Sequence, residues 1–195
     1  MVNRSSTGKS GIRLAQRLLS QAETGPGKDI LDIGCGRGVI TRYVAREYAG
    51  RVVGIDTDGK EIEIARRADC QGNPRFLEAD ARHLPFEDRS MDVVMAFGVL
   101  HHIGDWHNAV FQIGRVLRVG GRLIAAELVY PEWITGIDEK SNFKFGIYSL
   151  DISKLTRLLQ DEGFITLHQN SKKRVLWQDW EGIFEKKYEK AWSRY

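Results

Sequence analysis

The sequence predicts an α/β fold built on a mostly parallel sheet. Two observations carry this. Short apolar runs alternate with amphipathic stretches along the chain, the pattern of βαβ units. One of those runs, ending at Ile33, passes into a glycine-rich turn that opens a helix. The 195 residues suit one domain spanning 1–195, and 42% hydrophobic with 28% charged residues is an ordinary globular balance.

The elements follow in order. Ile12, Leu14, Ala15, Leu18 and Leu19 fall near helical spacing, and Gly25-Pro26-Gly27 ends that helix. Asp29 to Ile33 reads as a buried strand, Val39 to Tyr48 as a helix and Arg51 to Ile55 as the second strand. Lys60 to Ala68 is a crossover helix, Arg75 to Glu78 a short third strand and Met91 to Ala96 the fourth. Trp106 to Leu117 is a helix stopped by Val119-Gly120-Gly121, and Arg122 to Val129 is the fifth strand. Periodicity is lost over 131–150, a length typical of lids and binding loops. A helix over Asp151 to Glu162 follows, then strands at Phe164–His168 and Arg174–Trp177. Trp180, Ile183, Phe184, Tyr188, Ala191 and Trp192 follow helical spacing, so a closing amphipathic helix is expected within the C-terminal region 164–192.

Composition narrows the partners. No apolar run approaches the roughly 20 residues that cross a bilayer, and Met1 to Gly11 has no apolar leader core. The net charge is +3, and the basic C-terminal residues are interleaved with acids, which tells against a nucleic-acid groove. Cys35 and Cys70 form no CxxC pair, so neither a metal site nor a redox motif is expected, and two such thiols suit a reducing cytoplasm. Ser6-Thr7-Gly8-Lys9-Ser10 looks like the end of a P-loop, but position 3 is Asn3 and no strand precedes it.

The chemistry centres on Leu31-Asp32-Ile33-Gly34-Cys35-Gly36-Arg37-Gly38. Glycine permits positive φ and close approach to the backbone, and a helix N-terminus offers free N–H groups to a polar ligand. A dinucleotide fingerprint would want glycine at position 39, where Val39 stands. Val52-Val53-Gly54-Ile55-Asp56 ends the second strand in a carboxylate that can accept both ribose hydroxyl protons. Asp58 is a better helix cap than Thr57 and leaves Asp56 free for a ligand. Leu77-Glu78-Ala79-Asp80-Ala81 ends the third strand in a carboxylate able to accept from the exocyclic amine of a purine. Three successive strands thus carry polar devices at the carboxyl edge of the sheet, where open α/β folds bind ligands.

With LDIGCGRG, GIDTD, EADARHLPFED, SMDVVMAFGVLHHI and RVLRVGGRLIAAEL in that order over about residues 29–129, the chain resembles the class I S-adenosylmethionine-dependent methyltransferases. It is most similar to the methyltransferase type 11 small-molecule group, which includes quinone-biosynthesis enzymes. The resemblance implies a Rossmann-like sheet of seven strands with helices on both faces and the last strand antiparallel. It implies that Asp32, Gly34, Gly36 and Gly38 hold the methionine end of S-adenosylmethionine. Asp56 and Thr57 would bind the ribose, Asp80 and Ala81 the adenine, and Phe97 and Gly98 would close over the cofactor beside the transferring methyl. The C-terminal aromatic helix departs from the family pattern.

Absences narrow the acceptor. Gly98-Val99-Leu100 stands where enzymes that methylate amino groups of adenine or glutamine carry Pro-Pro-Tyr or Pro-Pro-Phe. Neither cysteine is placed to attack cytosine carbon-5, and arsenite chemistry needs more thiols. A small-molecule oxygen, nitrogen or carbon acceptor remains, under a lid at 131–150. His101 and His102 follow the fourth strand, and either a general-base or a structural role is open to them. The competing expectation is a domain that binds the cofactor without catalysis, as a partner subunit.

Overall fold

The computed structural model describes residues 4–48, 50–67, 72–131, 148 and 150–188. Its sheet has seven strands: β1 (Ile30–Ile33), β2 (Val52–Asp56), β3 (Arg75–Glu78), β4 (Met91–Phe97), β5 (Leu117–Val129), β6 (Phe164–Lys173) and β7 (Gln178–Lys186). They lie in the order β3-β2-β1-β4-β5-β7-β6. The first five pair in parallel, and β7 runs antiparallel between β5 and β6. The implied Rossmann-like sheet is therefore present, with its antiparallel member inserted between two others.

The helices are α1 (Arg4–Gln21), α2 (Val39–Tyr48), α3 (Gly59–Arg67), α4 (Trp106–Val116) and α5 (Ile152–Asp161). Alternation along the strands divides the core between two faces. Val93, Met95, Ile124 and Ile183 pack with Leu18, Leu19 and Val44 of α1 and α2. Val94, Leu123 and Phe184 pack with Ile113 of α4 and Leu155 and Leu159 of α5. Each such fully buried aliphatic side chain contributes about 1.5–3 kcal/mol. Asp105 caps α4 by accepting from the Asn108 N–H at 3.2 Å, and Asp151 caps α5 by accepting from the Ser153 N–H at 2.8 Å.

The C-terminal expectation fails in a definite way. Trp180, Ile183 and Phe184 belong to β7, not to a helix, and Arg174–Trp177 is the connection between β6 and β7. The central strand β7 is covered on both faces, so its buried residues do not alternate, and Trp180, Ile183 and Phe184 fall at helical spacing by coincidence. Ala191 and Trp192, like Cys70, lie outside the described residues. The expected lid at 131–150 also lies outside them, apart from Pro131, Tyr148 and Leu150. The P-loop-like Ser6–Ser10 stretch falls inside α1, which begins eight residues before the expected Ile12.

Chain order makes the site. From β1 the chain crosses to β2 on one side, whereas β4 lies on the other. This reversal opens a crevice at the carboxyl ends of β1 and β4, the usual ligand position in an open α/β sheet.

Candidate active site

The glycine turn after β1 is held from below and from the side. Gly34 and Cys35 donate their N–H groups to the Ile55 carbonyl at 2.8 and 2.9 Å. Gly34 and Gly38 both take positive φ, +72° and +71°. A Cβ on Gly34 would lie 2.5 Å from Val99 Cγ2, and one on Gly38 would overlap the Phe76 ring. These two glycines therefore admit protein side chains. Gly36 is different, since a Cβ there would meet nothing nearer than Glu61 Oε2 at 3.9 Å.

Asp56 does more than the sequence implied. Its Oδ2 accepts the Gly36 N–H at 2.9 Å and its Oδ1 accepts the Asp58 N–H at 2.9 Å. It is therefore not left free, although each carboxylate oxygen keeps capacity for a further donor. Asp58 caps α3 as expected, accepting from the Lys60 N–H at 2.9 Å. Asp32 is 3% exposed beneath the turn and accepts from the Thr41 hydroxyl at 2.6 Å. Burial pushes its carboxyl up to about 7, against the opposing Thr41 hydrogen bond and with help from the charge of Asp56.

Two cavities open at this edge. The first, about 600 Å³, is lined by Gly34, Asp56, Thr57, Asp80, Ala81 and Arg82 on one side. Gly98, Val99, His102 and Tyr148 form the other side. The second, about 630 Å³, lies against α1 and is lined by the apolar Leu14, Ile40, Phe97, Ala126, Leu128 and Trp180 and by polar side chains that include Arg17, Glu127, Asn170, Lys172, Asp179 and Glu181. Gly98 lines both. A Cβ on Gly98 would meet nothing within 4 Å, so the backbone there borders open space.

The structure thus brings Gly34, Asp56, Thr57, Asp80, Ala81, Gly98 and His102 to one cavity. Asp32, Gly36 and Gly38 do not line it. Phe97 is the last residue of β4 and lines the second cavity, not the first. Asp80 is engaged by Arg82, whose Nε and Nη2 donate to Oδ2 at 2.9 and 2.6 Å, and that hydrogen bonding holds its carboxyl below the ordinary range.

The histidines separate. His101 is 4% exposed and lines neither cavity, because its Nδ1 is tied to Glu127 Oε2 at 2.6 Å. Of the two roles open to it, this placement favours the structural one. His102 is exposed at the first cavity. Sequence reasoning missed Arg82, Val99 and Glu127, and placed Tyr148 only as part of the 131–150 lid. Glu127 left a signal: a lone carboxylate in the apolar run Leu123–Val129 must be paired if buried.

A strand-ordered crevice with a glycine turn and acids at successive strand ends defines a Rossmann-like ligand-binding domain. Residues 31–125 match the methyltransferase domain family. An O-methyltransferase from Penicillium expansum is 39% identical over 123 residues, which cover 61% of this chain and 45% of that protein. The 27-O-demethylrifamycin SV methyltransferase of Amycolatopsis mediterranei is 38% identical over 130 residues, 65% of this chain and 48% of that one. Residues 31–125 thus carry a methyltransferase domain like that of the class I S-adenosylmethionine-dependent methyltransferases, and the chain spans about half the length of these two relatives. Among solved structures, geranyl diphosphate C-methyltransferase from Streptomyces coelicolor A3(2) superposes with a TM-score of 0.75 at 15% identity, covering 88% of this chain and 76% of that one, a likeness of fold.

Proposed function

We propose that this chain transfers the methyl group of S-adenosylmethionine to a hydroxyl oxygen of a largely apolar small molecule. The carrying observation is the pair of cavities that share Gly98. The first offers the acids Asp56 and Asp80 at and beyond two strand ends and open backbone at Gly98, which fits a cofactor with a ribose and a purine. The second combines apolar side chains such as Leu14, Ile40, Phe97 and Trp180 with polar and charged ones, a make-up that suits a small molecule with an apolar body and polar substituents.

In this reading Asp32 and the glycine turn hold the amino-acid end, Asp56 and Thr57 the ribose, and Asp80 and Ala81 the adenine. The cofactor, when bound, supplies an electrophilic methyl on a sulfonium. The chain contributes alignment: Phe97 and Gly98 separate donor from acceptor, and α1 with Leu14 and Ile40 walls the acceptor in. Holding two reactants at near-attack distance supplies most of the acceleration that such a displacement needs. Where the hydroxyl must lose its proton, His102, which lines the first cavity, accepts it only from an acceptor that reaches past the shared Gly98. The hydroxyl assignment draws on the relatives whose names specify oxygen methylation.

The test is incubation with methyl-labelled S-adenosylmethionine and a panel of apolar alcohols, phenols, amines and carbon acids. Label transfer to alcohols or phenols with formation of S-adenosylhomocysteine supports the assignment. Label confined to amines or carbon acids overturns the oxygen acceptor.

A further inference from the structure

The turn between the two cavities hangs from one buried carboxylate. Glu127 stands near the carboxyl end of β5, 3% exposed, and among the described residues its carboxylate bonds to the segment just past β4. Its Oε1 accepts the Val99 N–H at 3.1 Å and the Leu100 N–H at 2.9 Å, while Oε2 meets His101 Nδ1 at 2.6 Å. Three hydrogen bonds to one side chain are what a buried carboxylate needs to be tolerated. Their direction is informative, because all three go to one short 3-10 turn, Leu100–His102 with Val99 as its cap, just past β4.

That turn reaches the cofactor side by contact. The Val99 side chain sits over Gly34 so closely that only glycine fits beneath it. The His101 carbonyl accepts the Tyr148 N–H at 2.7 Å, which ties the far end of the 131–150 segment to the same turn. Moving Val99 would therefore disturb the glycine turn, and moving His101 would disturb Tyr148, which lines the first cavity.

We propose that Glu127, with His101 as its partner, is the positioning residue of the cofactor site: it sets the Val99–His101 turn against Gly34 so that the first cavity is preformed. This rests on the reading that the first cavity holds S-adenosylmethionine. His101 lines neither cavity, and Glu127 borders the second cavity, but the role assigned to both is to place the turn and not to act on the methyl group. His101 acts as an N–H donor to Glu127, with no proton transfer required of it.

The experiment is calorimetric titration of S-adenosylhomocysteine into wild type, Glu127→Ala, Glu127→Gln, His101→Ala and His101→Asn. It is run well below each unfolding midpoint, with folded content checked by circular dichroism. Glu127→Ala should weaken binding ~10- to 100-fold, the scale of losing hydrogen bonds to a buried charged group. Glu127→Gln keeps an oxygen for the two backbone N–H groups, and His101→Asn keeps an N–H donor near the Nδ1 position, so both should stay within about fivefold of wild type. His101→Ala should fall between. A purely structural role would lower the unfolding midpoint while leaving affinity in the folded protein unchanged. If Glu127→Ala does not fold, weak binding by His101→Ala with rescue by His101→Asn supports the proposal, and equal binding by both overturns it. A wild type that binds no S-adenosylhomocysteine overturns the cofactor reading itself. A wild type that binds, with Glu127→Ala within twofold of it, overturns the positioning role alone.

Discussion

The Asp56 carboxylate accepts the Gly36 N–H at 2.9 Å, joining the end of the second strand to the middle of the glycine turn. The residue proposed to grip the ribose therefore also shapes the turn proposed to hold the amino-acid end. Replacing Asp56 by Ala should cost about 1.5–3 kcal/mol of cofactor binding, or roughly ten- to a hundredfold in affinity. Calorimetry with S-adenosylhomocysteine measures this, and an unchanged affinity would remove Asp56 from the site.

Gly34→Ala should destabilise the fold itself. The position combines a φ of +72° with Val99 Cγ2 2.5 Å from any added Cβ. Left-handed strain and overpacking together amount to about 2–5 kcal/mol. Gly36→Ala meets no such neighbour and should cost less. Thermal or denaturant unfolding of the two variants gives the order, and equal losses would contradict the Val99 contact.

Asp32 gives a pH signature. Its folded-state value, about 7, lies above the ordinary carboxylate range near ~4 because the group is buried. The native state therefore holds a proton that the unfolded chain has released. Stability from this group is fully present below pH ~4 and falls as pH rises toward about 7. Asp32→Asn keeps an acceptor for Thr41 and should flatten that loss. Unfolding midpoints of the ligand-free proteins across this range should diverge, with parallel curves counting against the assignment.

His102→Ala tests whether proton removal contributes. As a general base at the first cavity, its loss should slow turnover ~10²–10⁴-fold with an acceptor that must be deprotonated, at little cost in stability for an exposed residue. Steady-state kinetics that leave kcat near wild type would assign methyl transfer to alignment alone.

The strands β1 to β5 and the residues at their carboxyl ends were legible because local rules agree there: apolar runs, glycine turns and acids at strand ends point to one arrangement. What was hidden depends on long-range contacts. The β7 strand is buried on both sides and lost its period, so Trp180 and Phe184 read as helical. The split between His101 and His102 is invisible in an adjacent pair, because only the packing of β5 places Glu127 under one of them. The Arg82 grip on Asp80 likewise appears only once the short turn after β3 is folded. Gly34 and Gly38 also meet a demand that the sequence does not display, since their missing Cβ atoms make room for Val99 and Phe76.

The most direct test of the central claim is equilibrium dialysis of the wild-type chain against radiolabelled S-adenosylmethionine, with unlabelled S-adenosylhomocysteine or NAD as competitor. The cavity formed by Gly34, Asp56, Asp80 and Gly98 should retain the label, S-adenosylhomocysteine should displace it, and NAD should leave it in place. A chain that retains no label, or from which NAD displaces it as readily as S-adenosylhomocysteine, would contradict the account.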